Sequence, residues 1–136
     1  MTPHFTLAEL THTDHRTLDN TPNAAELANL KKLALFLETV KTPLGGKAVM
    51  ISSAYRSKAV NDAVGSRDTS SHRLGLAADF KVPGMTPDAV VRAIIEAKLP
   101  YDQLIREFDA WTHISIADKP RRQALIIDKA GTRPFV

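Results

Sequence analysis

The stretch "SSHRLGLAADF", Ser70–Phe80, decides how the rest of the chain is read. From Leu76 onward Leu76, Ala78, Phe80 and Val82 fall on one side and Ala77, Asp79 and Lys81 on the other, the two-residue period of a strand with one face on a core. Asp79 therefore lies on the face turned away from the apolar one. A carboxylate there needs partners. His72 precedes it by seven residues, and Gly75 between them lets the chain turn so that a loop histidine folds back over the strand.

On the N-terminal side, residues 1–20 read as a short helix and an irregular arm. Asn23 then caps a helix with Glu26 three residues on, and Leu27, Leu30, Ala34, Leu37 and Val40 recur on one face until "TPLGG" stops it. "KAVMIS", 47–52, reads as a strand, followed by a short helix from its cap Ser57 to Val64, with Gly65 as the left-handed exit. "SRDTSS" is a loop. On the C-terminal side, Thr86 and Pro87 open a helix whose Val90, Val91, Ile94, Ile95 and Leu99 form its buried stripe. "DQLIREFDAWTHISIA" reads as two strands joined by a tight "FDA" turn, and "QALIID", 123–128, as a last strand. The expected fold is α+β, a small, largely antiparallel sheet with helices packed on one face. We read residues 1–136 as a single domain with an N-terminal arm, 1–22, and a C-terminal strand and tail, 117–136.

Composition narrows the chemistry. The chain has 136 residues, 43% hydrophobic and 24% charged, as in ordinary globular proteins. It contains no cysteine, so a metal site must be built from nitrogen and oxygen ligands. His4, Glu9, His12, Asp14, His15 and Asp19 exclude a secretory signal at the N-terminus, and no stretch has the roughly 18 apolar residues of a membrane span. The expectation is synthesis in the cytoplasm without membrane insertion. A net charge of +3 suits an anionic partner such as the bacterial envelope, but the cations are scattered, and nucleic-acid binding rests on charge alone. The cluster His12, Asp14 and His15 reads as a solvated turn, and "DKPRR", 118–122, as an exposed connection.

On the strand 111–116, Thr112, Ile114 and Ile116 share one face, while Trp111, His113 and Ser115 share the other. His113 thus emerges on a non-core face, as Asp79 does. A catalytic zinc usually takes three protein ligands from His, Asp or Glu and keeps a fourth position for water. His72, Asp79 and His113 would supply that set for one zinc ion.

"SSHRLGLAADF" fits the pattern S-x-H-x-x-G-x-A-x-D, and "WTHIS" fits the second-histidine element of the zinc D-alanyl-D-alanine peptidases. In both, the chain resembles the M15 peptidase family, whose fold is shared with the signalling domain of hedgehog proteins. The resemblance runs from about the first helix to "HIS", most of the chain, and implies a zinc peptidase acting on peptidoglycan stem peptides. Its dipeptidase and endopeptidase branches carry a carboxylate three residues before the last histidine, where this chain has Ala110. Glu107, six residues before His113, matches the hedgehog-type arrangement and is the expected general base, with Asp109 in reserve. "SAYRS", 53–57, is similar to the element that places an arginine toward the substrate, so Arg56 is expected to clamp a carboxylate or stabilise the oxyanion. Ser70 and Trp111 are expected to shape the substrate pocket. The small size suggests a monomeric, endolysin-like enzyme that reaches the wall once the membrane is permeabilised. The competing class is a non-catalytic wall-binding or phage structural module that keeps zinc for stability.

Overall fold

The structure, a computed structural model, describes residues 1–135. Val136, at the end of the expected tail, lies outside the described residues. The elements run α1 (Leu7–Leu10), α2 (Ala24–Lys41), β1 (Met50–Ser53), α3 (Lys58–Ala63), a 3-10 turn (Ser71–Leu74), β2 (Ala77–Lys81), α4 (Pro87–Glu96), β3 (Gln103–Glu107), β4 (Trp111–Ser115), β5 (Gln123–Asp128) and β6 (Gly131–Pro134). The fold is α+β, as expected. One six-stranded sheet has the order β1-β2-β4-β3-β5-β6, and all neighbours are antiparallel except β3 and β5.

Local chemistry starts α2. The Asn23 side chain accepts from the Glu26 N–H at 2.8 Å and Glu26 Oε1 accepts from the Asn23 N–H at 2.9 Å, a closed capping box. Leu30, Leu33, Ala34, Leu37 and Val40 of α2 are fully buried against Val90, Val91 and Ile94 of α4 and against Ala78, Phe80, Leu104 and Ile114 of the sheet. Register explains why those sheet residues share the core face. Ala78 pairs with Ile114, and Ile114 pairs with Leu104. The neighbouring positions Asp79, His113 and Ile105 are paired in the same way and must point to the opposite face.

Three boundaries differ from the sequence reading. The first strand, expected over 47–52, begins at Met50, because Met50 faces Lys81, the last residue of β2, and Pro83 just beyond has no N–H to extend the ladder. The stripe of α4 was expected to reach Leu99, but the helix ends at Glu96 and Lys98 adopts a positive φ of 56°, so Leu99 packs on the core from a loop. Gly131–Pro134, expected as part of the tail, forms the edge strand β6, where a proline costs no ladder bond on its open side. The "DKPRR" segment is anchored at Arg121, whose guanidinium makes two hydrogen bonds, 2.8 and 3.0 Å, to the buried Asp102.

Candidate active site

The site is built on the sheet face opposite the two long helices. Asp79 on β2 and His113 on β4 are direct cross-strand partners, so their side chains emerge side by side, and His113 Nδ1 lies 2.9 Å from Asp79 Oδ1. The third member comes from the 3-10 turn. Ser70 caps that turn by accepting from the His72 N–H at 3.3 Å, Arg56 N–H donates to the His72 carbonyl at 2.9 Å, and Gly75 leaves the turn at φ 78°. His72 Nε2 is thereby brought to 3.3 Å from Asp79 Oδ1. All three residues are buried, and the ligand atoms they offer lie within 4.8 Å of one another. Among the described residues this is the group of three placed to hold a metal ion.

Gly75 is required twice over. Besides its left-handed φ, a Cβ there would sit 2.9 Å from the backbone carbonyl oxygen of Glu26 and 3.1 Å from Leu30 Cγ. Gly75→Ala is therefore expected to cost about 2 kcal/mol or more, from the strained φ and the clash together, read as a lower urea midpoint with an unchanged slope. An unchanged midpoint would mean that the turn carrying His72 can move freely.

The protonation pattern fits a cation. His72 Nδ1 lies 2.7 Å from the carbonyl oxygen of Ala54, which can only accept, so Nδ1 carries the proton. Burial lowers the His72 pKa and favours the neutral ring, which leaves a bare lone pair on Nε2 facing a carboxylate oxygen. Two acceptors so close in a buried site need a positive centre between them. Ligands of a tetrahedral zinc at its usual bond lengths stand about 3.3 Å apart, close to the spacings found here. The Ala54 carbonyl is the outer partner that fixes the His72 tautomer. Burial by itself would raise the Asp79 pKa, but chiefly the hydrogen bond with His113 outweighs it and holds the carboxyl well below its usual range.

Two further groups flank the trio. Arg56 Nη2 lies 3.4 Å from Asp79 Oδ2, and its Nε donates to Ser53 Oγ at 3.1 Å, so it stands on the β1 side. A cavity of about 140 Å³ opens beside it, lined also by His12, His15, Ser52 and Ser53 of the N-terminal arm and β1. Glu107 stands on the β3 side, two residues from Ile105, the cross-strand partner of His113, and its Oε1 is 4.0 Å from His113 Nδ1. Burial raises the Glu107 pKa, and the nearby Asp79 charge adds to this.

The remaining expected residues are placed as follows. Asp109 is turned away from the trio and pairs with Arg106 at 3.2 Å on the other side of the sheet. Trp111 faces the site directly opposite Glu107, while Ser70 serves the turn as its cap. His12 and Asp14 are exposed and 3.3 Å apart, outside the metal-type group. Sequence reasoning missed two supports. The Ala54 carbonyl is a backbone atom that no side-chain pattern reports. The other is Glu26, whose carboxylate accepts from Arg73 at 2.7 Å and from the Tyr55 hydroxyl at 2.9 Å, tying α2 to the turn that carries His72. In the sequence Glu26 was legible only as half of a helix cap. Burial raises the Tyr55 pKa to about 12, with Glu26 adding to the shift.

Comparison with curated proteins returns no match. A family model described as peptidase M15 matches residues 3–115, which include every residue of the site and end at the last residue of β4. With that match covering most of its length, the chain belongs to the M15 peptidase family and is a hydrolase of peptide bonds.

Proposed function

We propose that the protein is a zinc-dependent peptidase that hydrolyses an amide bond in the stem peptide of peptidoglycan. The observation that carries this reading is the buried trio of His72, Asp79 and His113 with a carboxylate, Glu107, 4.0 Å from the His113 nitrogen that faces Asp79. The two nitrogens and one oxygen of the donor set suit zinc in a site with an open position. When bound, zinc supplies a polarised scissile carbonyl and a water acidified to a pKa of about 7. Glu107 takes the proton of the attacking water and returns it to the leaving amine. Its raised pKa favours both transfers. Arg56, whose Nη2 is directed at Asp79, orients that ligand and offers its remaining N–H groups to a substrate carboxylate or to the oxyanion.

The resemblance to stem-peptide peptidases and the positive net charge support peptidoglycan as substrate. In this reading the protein is a monomeric, endolysin-like enzyme made in a host cytoplasm and acting at the wall. Incubation with purified muropeptides, followed by mass spectrometry, is the test. Cleavage is expected with zinc present, lost with a chelator and restored by added zinc. The product mass separates removal of a terminal D-alanine from a cut inside the stem. A protein that binds zinc and muropeptides but releases no product is the non-catalytic module instead.

A further inference from the structure

The chain has a single tryptophan, and its indole N–H is the anomaly of the site. Trp111 Nε1 is buried and meets no hydrogen-bond acceptor among the described residues. A buried donor left unpaired is costly, so such a group is normally waiting for a partner. The fold puts one beside it. Trp111 and Glu107 are direct cross-strand partners, with side chains on the same sheet face and within reach of each other.

The surroundings fix the indole rather than the carboxylate. Phe108 packs on the Trp111 ring at 5.7 Å between centroids, and Phe108 itself is held at an unusual positive φ of 52° by the turn. The Phe108 N–H donates to the Ile127 carbonyl at 2.8 Å, which ties that turn to β5. The ring is thus clamped from the turn side. Glu107 has no such restraint: its Oε1 lies 4.0 Å from His113 Nδ1, and among the described residues no direct side-chain hydrogen bond holds its carboxylate.

We infer that Trp111 is a positioning residue: its indole N–H donates to one oxygen of Glu107 and turns the other oxygen toward the space between His72, Asp79 and His113. This rests on the reading of Glu107 as general base. Hydrogen bonds of this kind are often long or poorly aligned in a resting site and tighten as the reaction proceeds, so a long indole–carboxylate hydrogen bond is the expected resting geometry. The anchor must be a donor without a proton to lose, and an indole N–H meets that requirement. One carboxylate oxygen then stays free to accept the proton of the attacking water.

Two measurements test this. The first needs neither metal nor activity. In the metal-free, ¹⁵N-labelled protein the one indole N–H gives one cross-peak, expected downfield of a solvent-exposed indole and moved upfield by Glu107→Ala. The same position in both proteins would overturn the inference. The second uses the zinc-loaded enzyme with Trp111→3-benzothienylalanine, which keeps the ring shape and puts sulfur in place of the N–H. A charged hydrogen bond of ordinary strength predicts a fall in kcat of about 10- to 100-fold, with KM and zinc content unchanged. An isostere with full kcat, or one that changes only KM, sinks the inference, since the N–H would then be idle or would serve the substrate. Because the ring is preserved, a folding failure does not blur the result. If the wild-type protein cleaves nothing while the cross-peak still moves, the pairing stands and the peptidase reading is what fails.

Discussion

Asp79→Asn is expected to empty the metal site: after dialysis, zinc content falls from near one ion per chain to near zero, and cleavage disappears with it. The reason lies in how many groups converge on one carboxylate. Its Oδ1 faces both His113 Nδ1 and His72 Nε2, and its Oδ2 faces Arg56 Nη2. Asparagine keeps the shape but removes the negative charge. It also turns one of those oxygens into an N–H donor, so His72 Nε2 or His113 Nδ1 can be bridged without any ion. Loss of an outer partner of a metal ligand typically costs 10- to 100-fold in affinity, and loss of the only anionic ligand should exceed that range. The substitution also leaves the half-buried Arg56 without its counter-charge, so a modest fall in melting temperature should accompany the lost zinc. A variant that still holds one ion per chain would show that the metal, if any, sits elsewhere.

The site was legible in the sequence to the extent that it follows from strand periodicity. Alternation alone places Asp79 and His113 on non-core faces, and the register then makes them direct partners. A glycine ahead of the strand announces a turn, and His72 indeed arrives from it. What sequence could not supply was the third dimension of that turn. Ala54 contributes only a carbonyl oxygen that accepts from His72, and Glu26, apparent as half of a capping box, also pairs with Arg73 and Tyr55 across 47 and 29 residues of chain. Such contacts depend on how α2 crosses the turn, which no local pattern encodes. The parallel pairing of β3 with β5 was equally hidden, because a short strand carries the same alternation whichever way its neighbour runs. The same limit left Asp109 open as a base. Only the positive φ values at Phe108 and Asp109 turn that carboxylate to Arg106 and leave Glu107 facing the histidines.

Glu107→Gln should separate catalysis from stability with opposite signs. Glutamine matches the size of glutamate and can still accept a hydrogen bond, but it cannot take a proton from water, so kcat is expected to fall by about 10²- to 10⁴-fold. Zinc content should not change, since the ion is assigned to the other three residues. Stability should hold or rise. Burial and the Asp79 charge raise the Glu107 pKa, which means the folded protein disfavours the ionised carboxylate relative to the unfolded chain. Above both pKa values that penalty is present in full, and a neutral side chain removes it. A residue that lowers stability while serving chemistry is what a stability–activity trade-off predicts. Zinc analysis, a thermal melt and muropeptide turnover on the same preparation decide the matter. Loss of activity together with a lower melting temperature would mark Glu107 as structural and leave the site without its base.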